Sequence, residues 1–169
     1  MSNDAVADNF LAYAASRMKL SQREIARCAE RLSEEQMLHR GGDYENSIAN
    51  LLLHLAGNIR QWILHGIDEQ PDVRERDAEF SLAPGVDAAE ARRRFDAVVD
   101  EAVGVIAGLD VGRMLAVIDP QPTGWHRNVT ILEAIFKVVG HLEMHTGQII
   151  LLTKQLVAND LDLSLPRKR

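Results

Sequence analysis

Thr130-Ile-Leu-Glu133-Ala-Ile135-Phe-Lys-Val138-Val-Gly-His141-Leu142-Glu143-Met-His145-Thr-Gly-Gln148-Ile149-Ile-Leu-Leu152-Thr-Lys-Gln-Leu156 is the longest and most apolar periodic stretch of the chain, and its reading decides the fold. Ile131, Ile135, Val138, Leu142, Ile149, Leu152 and Leu156 recur at helical spacing, so a helix over about residues 131 to 157 carries one apolar face. Thr130 and Glu133 have the spacing of a capping box, in which a hydroxyl and a carboxylate satisfy the free amides at a helix start. A stripe of this kind has to be buried against other elements.

Three further segments supply partners. Phe10, Ala14, Met18, Ile25, Cys28 and Leu32 mark a first helix over about 4 to 32, with Asn3 or Asp4 as cap. Ile48, Leu51, Leu52, Leu55, Ile59, Trp62 and Ile63 mark a second over about 47 to 66, with Ser47 as cap and Gly66 just past its end. A third opens with Asp87 three residues ahead of Glu90 and continues through Ala91, Phe95, Val98, Ala102, Ile106 and Leu109, its arginines pointing outward. Strand signals are thin: Met114 to Ile118 is a short apolar run between Gly112 and the Pro120/Pro122 pair. The expected fold is therefore an all-α bundle of four helices, in which the stripes bury one another. The segment from 67 to 86 reads as a long charged loop (Asp68, Glu69, Asp72, Arg74, Glu75, Arg76, Asp77) containing Pro71 and Pro84, which favours one crossover connection over up-down-up-down topology.

At 169 residues the chain reads as one domain, residues 1–169 with a tail from about 159, long enough to bury about 70% of its unfolded surface without a disulfide. The single cysteine, Cys28, lies on an apolar stripe and reads as a small buried hydrophobe. No charged-then-apolar leader and no uninterrupted apolar run of membrane-spanning length is visible, so a cytoplasmic location and no membrane partner are expected. The net charge of -6 opposes binding to a phosphate backbone, and Arg92-Arg93-Arg94 and Arg167-Lys168-Arg169 are too short for a groove-tracking stripe. No nucleic-acid partner is expected.

His141 and His145 are four residues apart, on one helical face and about 6 Å from each other, close enough to share a metal ion. Glu143 is about 160 to 200° round the helix from both, so it cannot serve them as the carboxylate of a His-Glu-x-x-His protease does. A third ligand is required, and His54 on the second helix stands at a matching depth. It is roughly 18 Å from that helix's end, while the pair is roughly 20 Å from the start of the last helix, so an antiparallel pairing brings all three to one level. Three neutral imidazoles with an open fourth position suit zinc, nickel or a similar divalent ion. A di-iron site needs Glu-x-x-His, and no histidine here has a glutamate three residues before it. Asn58, Gln61 and Gln148 continue the two histidine stripes, as hydrogen-bonding partners of ligands or substrate or as boundary amides facing water. His65 lies about 16 Å further along the helix than His54, too far to bind the same ion, and His39 and His126 read as loop residues. The histidines taken alone also admit the reading of incidental side chains.

With these flanks, Ser47-Ile-Ala-Asn-Leu-Leu-Leu-His54-Leu-Ala-Gly-Asn-Ile-Arg-Gln-Trp62 and His141-Leu-Glu-Met-His145-Thr-Gly-Gln148 resemble the histidine-bearing helices of the DinB-like superfamily of bacterial four-helix proteins. That superfamily includes mycothiol- and bacillithiol-dependent transferases, and the branch resembled here has no assigned reaction. The resemblance implies an up-down-down-up four-helix bundle with a long crossover between its second and third helices. It also implies a divalent metal on His54, His141 and His145, and homodimerisation. In thiol-dependent relatives the metal activates a low-molecular-weight thiol, although no motif for a thiol pocket is visible here.

The expectation is thus a metal-dependent enzyme acting on a small-molecule substrate, a low-molecular-weight-thiol S-transferase or a hydrolase. Zinc or nickel is the expected cofactor and a thiol the candidate cosubstrate. The alternatives are a non-catalytic metal- or small-molecule-binding helical dimer, and a dimer module whose histidines are incidental.

Overall fold

Four long helices take up the four periodic stretches, and two short ones fill segments that have no periodicity. The computed structural model describes residues 3–81, 87–119, 121–122, 128–161 and 163. In chain order the helices are α1 (Asn3–Ala29), α2 (Glu34–Leu38), α3 (Ile48–Ile59), α4 (Arg76–Ser81), α5 (Ala88–Ala107) and α6 (Ile131–Val157). No strand forms among the described residues. Val117 and Thr130 make one isolated antiparallel bridge, which is all that becomes of the Met114 to Ile118 run.

Polar side chains set the helix starts. The Thr130/Glu133 capping box of α6 closes in both directions, and the Asp87 carboxylate accepts the Glu90 amide at the start of α5. At α3, Ser47 Oγ accepts the Asn50 amide at 3.1 Å while Asn50 Oδ1 accepts the Ser47 amide at 3.2 Å. Both side chains are buried, and Asn50 Nδ2 also donates to the Glu79 carbonyl at 2.9 Å, so this cap holds α4 as well. Such caps contribute about 1 kcal/mol each.

Three expectations are corrected. Asn3 is already helical and Asp4 lies in the first turn, so neither caps α1. That helix ends at Ala29, and the turn beyond it leads into α2, capped by a reciprocal Ser33/Gln36 pair. Residues 67–86 are not simply a loop, because α4 lies within them and packs on α3. Finally, the second periodic segment is α-helical only to Ile59. Arg60–His65 form a wider π-helical turn, in which the Gly66 amide bonds the Gln61 carbonyl at 3.1 Å. Gly66 itself has φ -72, not the left-handed cap conformation. A side chain is excluded there by crowding, since a Cβ would stand 2.7 Å from the Trp62 carbonyl oxygen and 3.3 Å from Ile118.

The stripes read from sequence meet in one core. Met18, Ile25, Leu52, Leu55, Ile59, Trp62, Phe95, Ile106, Ile135 and Leu142 are fully buried, each large apolar side chain contributing about 1.5–3 kcal/mol. Cys28 is buried among them, as expected. Both α1 and α3 pack against α5 and α6. Polar links tie α1 to α5: Lys19 to Asp100, Gln22 to Asp96, and Arg92 to the Ala26 carbonyl. Arg93 and Arg94 point outward and pair with Glu90, whereas Arg92 is half-buried. No helix among the described residues is long and apolar enough to cross a membrane. His126 and the tail from 164, with Arg167, Lys168 and Arg169, lie outside the described residues.

Candidate metal centre

His54 projects from α3 toward α6, where His141 and His145 stand one turn apart, and the three imidazoles converge through the same ring atom. His54 Nε2 is 3.2 Å from His141 Nε2, and His145 Nε2 is 3.1 Å from it. The ring centroids are 4.5 to 5.2 Å apart, with edge-on orientations. His54 is 8% exposed, and the other two are partly exposed.

The outer ring nitrogens determine what the inner ones offer. His54 Nδ1 donates to Glu79 Oε2 at 2.9 Å, and His145 Nδ1 donates to Gln148 Oε1 at 2.6 Å. A neutral imidazole carries one proton, so both of these rings turn a lone pair inward from Nε2. His141 Nδ1 is buried with no partner among the described residues. Even with its proton on Nε2, His141 satisfies one neighbouring lone pair and leaves the other unmatched. A cation at the centre matches all three. Two metal–nitrogen bonds of about 2.0–2.1 Å at a tetrahedral angle set the nitrogens about 3.3–3.4 Å apart, close to the spacings found.

Burial favours the neutral form of the two α6 histidines. Burial pushes His141 down to about 4, reinforced by the positive field of His145, His54, Arg74 and Lys137. Burial also lowers His145, against the opposing effect of its bond to Gln148. Neutral imidazole is the form that binds metal.

Glu79 is held by an extended set of contacts. Arg74 Nε donates to its Oε1 at 2.7 Å and Arg74 Nη2 to its Oε2 at 2.9 Å, a bidentate pair with little solvent exposure. Burial alone raises the Glu79 carboxyl, but hydrogen bonds from Arg74 and His54 outweigh it and hold the group below its ordinary value. Arg74 Nη1 in turn donates to Gln61 Oε1 at 2.9 Å, and Gln61 Nε2 donates to Asp72 at 3.0 Å. Gly57 gives this assembly its room: a Cβ there would overlap Glu79 Oε1 and stand 2.9 Å from Glu79 Cδ. Beyond the Glu79–Arg74 wall, a separate cleft of about 580 Å³ lies between α3, α4 and α5.

The three histidines predicted as ligands are thus brought together, and their Nε2 atoms belong to one group whose ligand atoms all lie within 4.8 Å of one another. No carboxylate or thiolate joins that group among the described residues. Glu143 points the other way and pairs with Arg17 at 2.5 Å. His65 bonds the Gln70 carbonyl, and the His39 amide caps the end of α2. Of the amides, Gln148 orients His145, Gln61 braces Arg74, and Asn58 is buried one turn beyond His54. Sequence reading missed Glu79 and Arg74. They sit in a charged segment without periodicity, and the only sign nearby is a glycine inside α3 where alanine is the better helix former.

The chain belongs to the family described as "Protein of unknown function (DUF1572)", whose model matches residues 5–169. It is similar in fold to a solved structure described as the "conserved protein of locus from Enterococcus faecalis", with TM-score 0.60 and 14% identity. The match covers 94% of this chain and 99% of that one. No curated protein matches the chain.

Proposed function

We propose that this protein is a divalent-metal-dependent enzyme of the DinB-like type, with His54, His141 and His145 as ligands of zinc or nickel. The carrying observation is the convergence of three Nε2 atoms, two of them fixed as lone-pair donors by Glu79 and Gln148. A divalent ion held there supplies Lewis acidity, lowering the pKa of a water or thiol that takes its free position. With three protein ligands and two partly exposed rings, the site leaves room for such a partner, which favours catalysis over a purely structural ion. The reaction class is transfer to a low-molecular-weight thiol or hydrolysis of a small molecule. The protein's own part is to aim the ring nitrogens of His54 and His145 and to favour the neutral form of His141 and His145.

The helix contacts support an up-down-down-up bundle with its crossover between α3 and α5. Links between α1 and α5 advance in opposite directions along the two helices, from Lys19–Asp100 to Ala26–Arg92. Arg17 to Glu143 and Arg27 to the Leu161 carbonyl advance in the same direction along α1 and along α6 with the segment just past its end. His54 against His141, with Trp62 against Lys137, sets α3 opposite to α6. Exposed Phe136, Met144 and Leu151 on one face of α6, with Tyr13 on α1, support a homodimer.

The test is elemental analysis of protein purified without a histidine tag. About one equivalent of a divalent metal in the parent chain, lost in His141→Ala, is the expected result. Substoichiometric metal that is unchanged by the substitution overturns the reading.

A further inference from the structure

Lys137 lies one helical turn before His141 on α6, and Asn58 one turn after His54 on α3. Contact between Trp62 and Lys137 at one level, and between His54 and His141 at the next, places these two positions toward the same end of the histidine cluster. Asn58 is 8% exposed as a residue; its amide makes no hydrogen bond to any described residue, and the amide atoms are not sealed from solvent. The Lys137 ammonium rests 3.9 Å from the Trp62 ring centroid, half-buried, and has no carboxylate partner among the described residues. An open amide and a half-buried ammonium that keeps no carboxylate partner, side by side at one end of the cluster, are groups free to meet a ligand.

Resting on the metal-site reading above, we infer that Lys137 and Asn58 bind the anionic group of the substrate, so that the site takes a small organic carboxylate whose reacting donor faces the three histidines. Residues one turn apart on a helix are about 6 Å apart, which spaces the carboxylate a few bonds from the reacting atom. The sign of the surrounding field agrees, because Arg74 and Lys137 both add positive potential at His141. Glu79, which bonds His54, is neutralised by Arg74, and Glu133, one turn before Lys137, is engaged by the Thr130 amide and hydroxyl. Burial lowers the Lys137 pKa.

Cobalt(II)-loaded protein, titrated with 3-mercaptopropionate and with its neutral analogue 3-mercapto-1-propanol, tests this directly. The readout is the thiolate-to-cobalt charge-transfer absorption, which does not depend on turnover. The carboxylate is expected to bind at least about tenfold more tightly, the scale of one charge-assisted hydrogen bond. That preference should vanish in Lys137→Gln, survive in Lys137→Arg and reverse in Asn58→Asp, each thiol affinity being measured on protein saturated with cobalt. Equal affinity for the two thiols, or a preference untouched by Lys137→Gln, overturns the carboxylate assignment and leaves the metal site standing. Failure of the parent protein to bind cobalt removes both.

Discussion

His54 and Glu79 are 25 residues apart in sequence and 2.9 Å apart in the fold, and α4 exists at the position that makes this contact. The carboxylate does not belong to the histidine cluster. It selects which nitrogen of His54 faces that cluster, and a guanidinium selects how the carboxylate is aimed. On the metal reading, ligand geometry is therefore set by a residue outside the ligand set.

Glu79→Gln is expected to weaken metal binding about 10–100-fold, measured by competition with a chromophoric chelator. It should also destabilise the fold by about 3 kcal/mol, because Arg74 is left buried without its partner. Replacing both partners with apolar residues, Arg74→Met with Glu79→Leu, should recover most of that stability and none of the metal affinity. Recovery of both would show that the pair has no orienting role.

Gly57→Ala inverts the usual rule for helices. Alanine is favoured over glycine by about 0.5–1 kcal/mol in a helix interior. Here the new Cβ has to displace Glu79, whose oxygens are held by Arg74 and His54, and overpacking of that kind costs about 1–3 kcal/mol. A net loss of about 1 kcal/mol in urea unfolding, with weaker metal binding, is expected; a gain in stability would mean that Glu79 moves freely.

Cys28 should resist alkylation in the native protein and react once the chain is unfolded. Burial raises its thiol above the ordinary value of 9.0, with a hydrogen bond from Thr153 acting in the opposite sense. The folded state therefore prefers the protonated thiol. Its contribution to stability is present below about pH 9 and is lost as the pH rises toward the folded thiol's higher value. Iodoacetamide labelling against pH, native and in denaturant, reads this out: coincident profiles would contradict it.

Met144→Glu places a charge in the middle of the exposed apolar stripe formed with Phe136 and Leu151. A shift from dimer to monomer is expected in size-exclusion chromatography with light scattering, and an unchanged mass at micromolar protein would place the interface elsewhere.

The long helices were legible because burial imposes a period on their sequences, and the caps at Ser47, Asp87 and Thr130 were legible because their chemistry is local. The histidine cluster was legible in the same way: His141 and His145 share a face by spacing alone, and His54 falls at their level by counting turns. Glu79 has neither a period nor a local partner, and its burial depends on Arg74, Gln61 and Gly57 together. The π-helical turn at Arg60–His65 escaped notice because its apolar residues still fit a regular helix within the tolerance of the pattern. The Ser33 to Gln36 signal of α2 was present in the sequence, and only the brevity of that helix hid it.

The connection between α3 and α5 is more than a tether. It carries the acidic side chain that bonds His54, anchored by the buried cap at Asn50, and the guanidinium that aims it. Exchanging residues 67–86 would therefore change what orients His54, while the helices that bear the histidines stayed as they were.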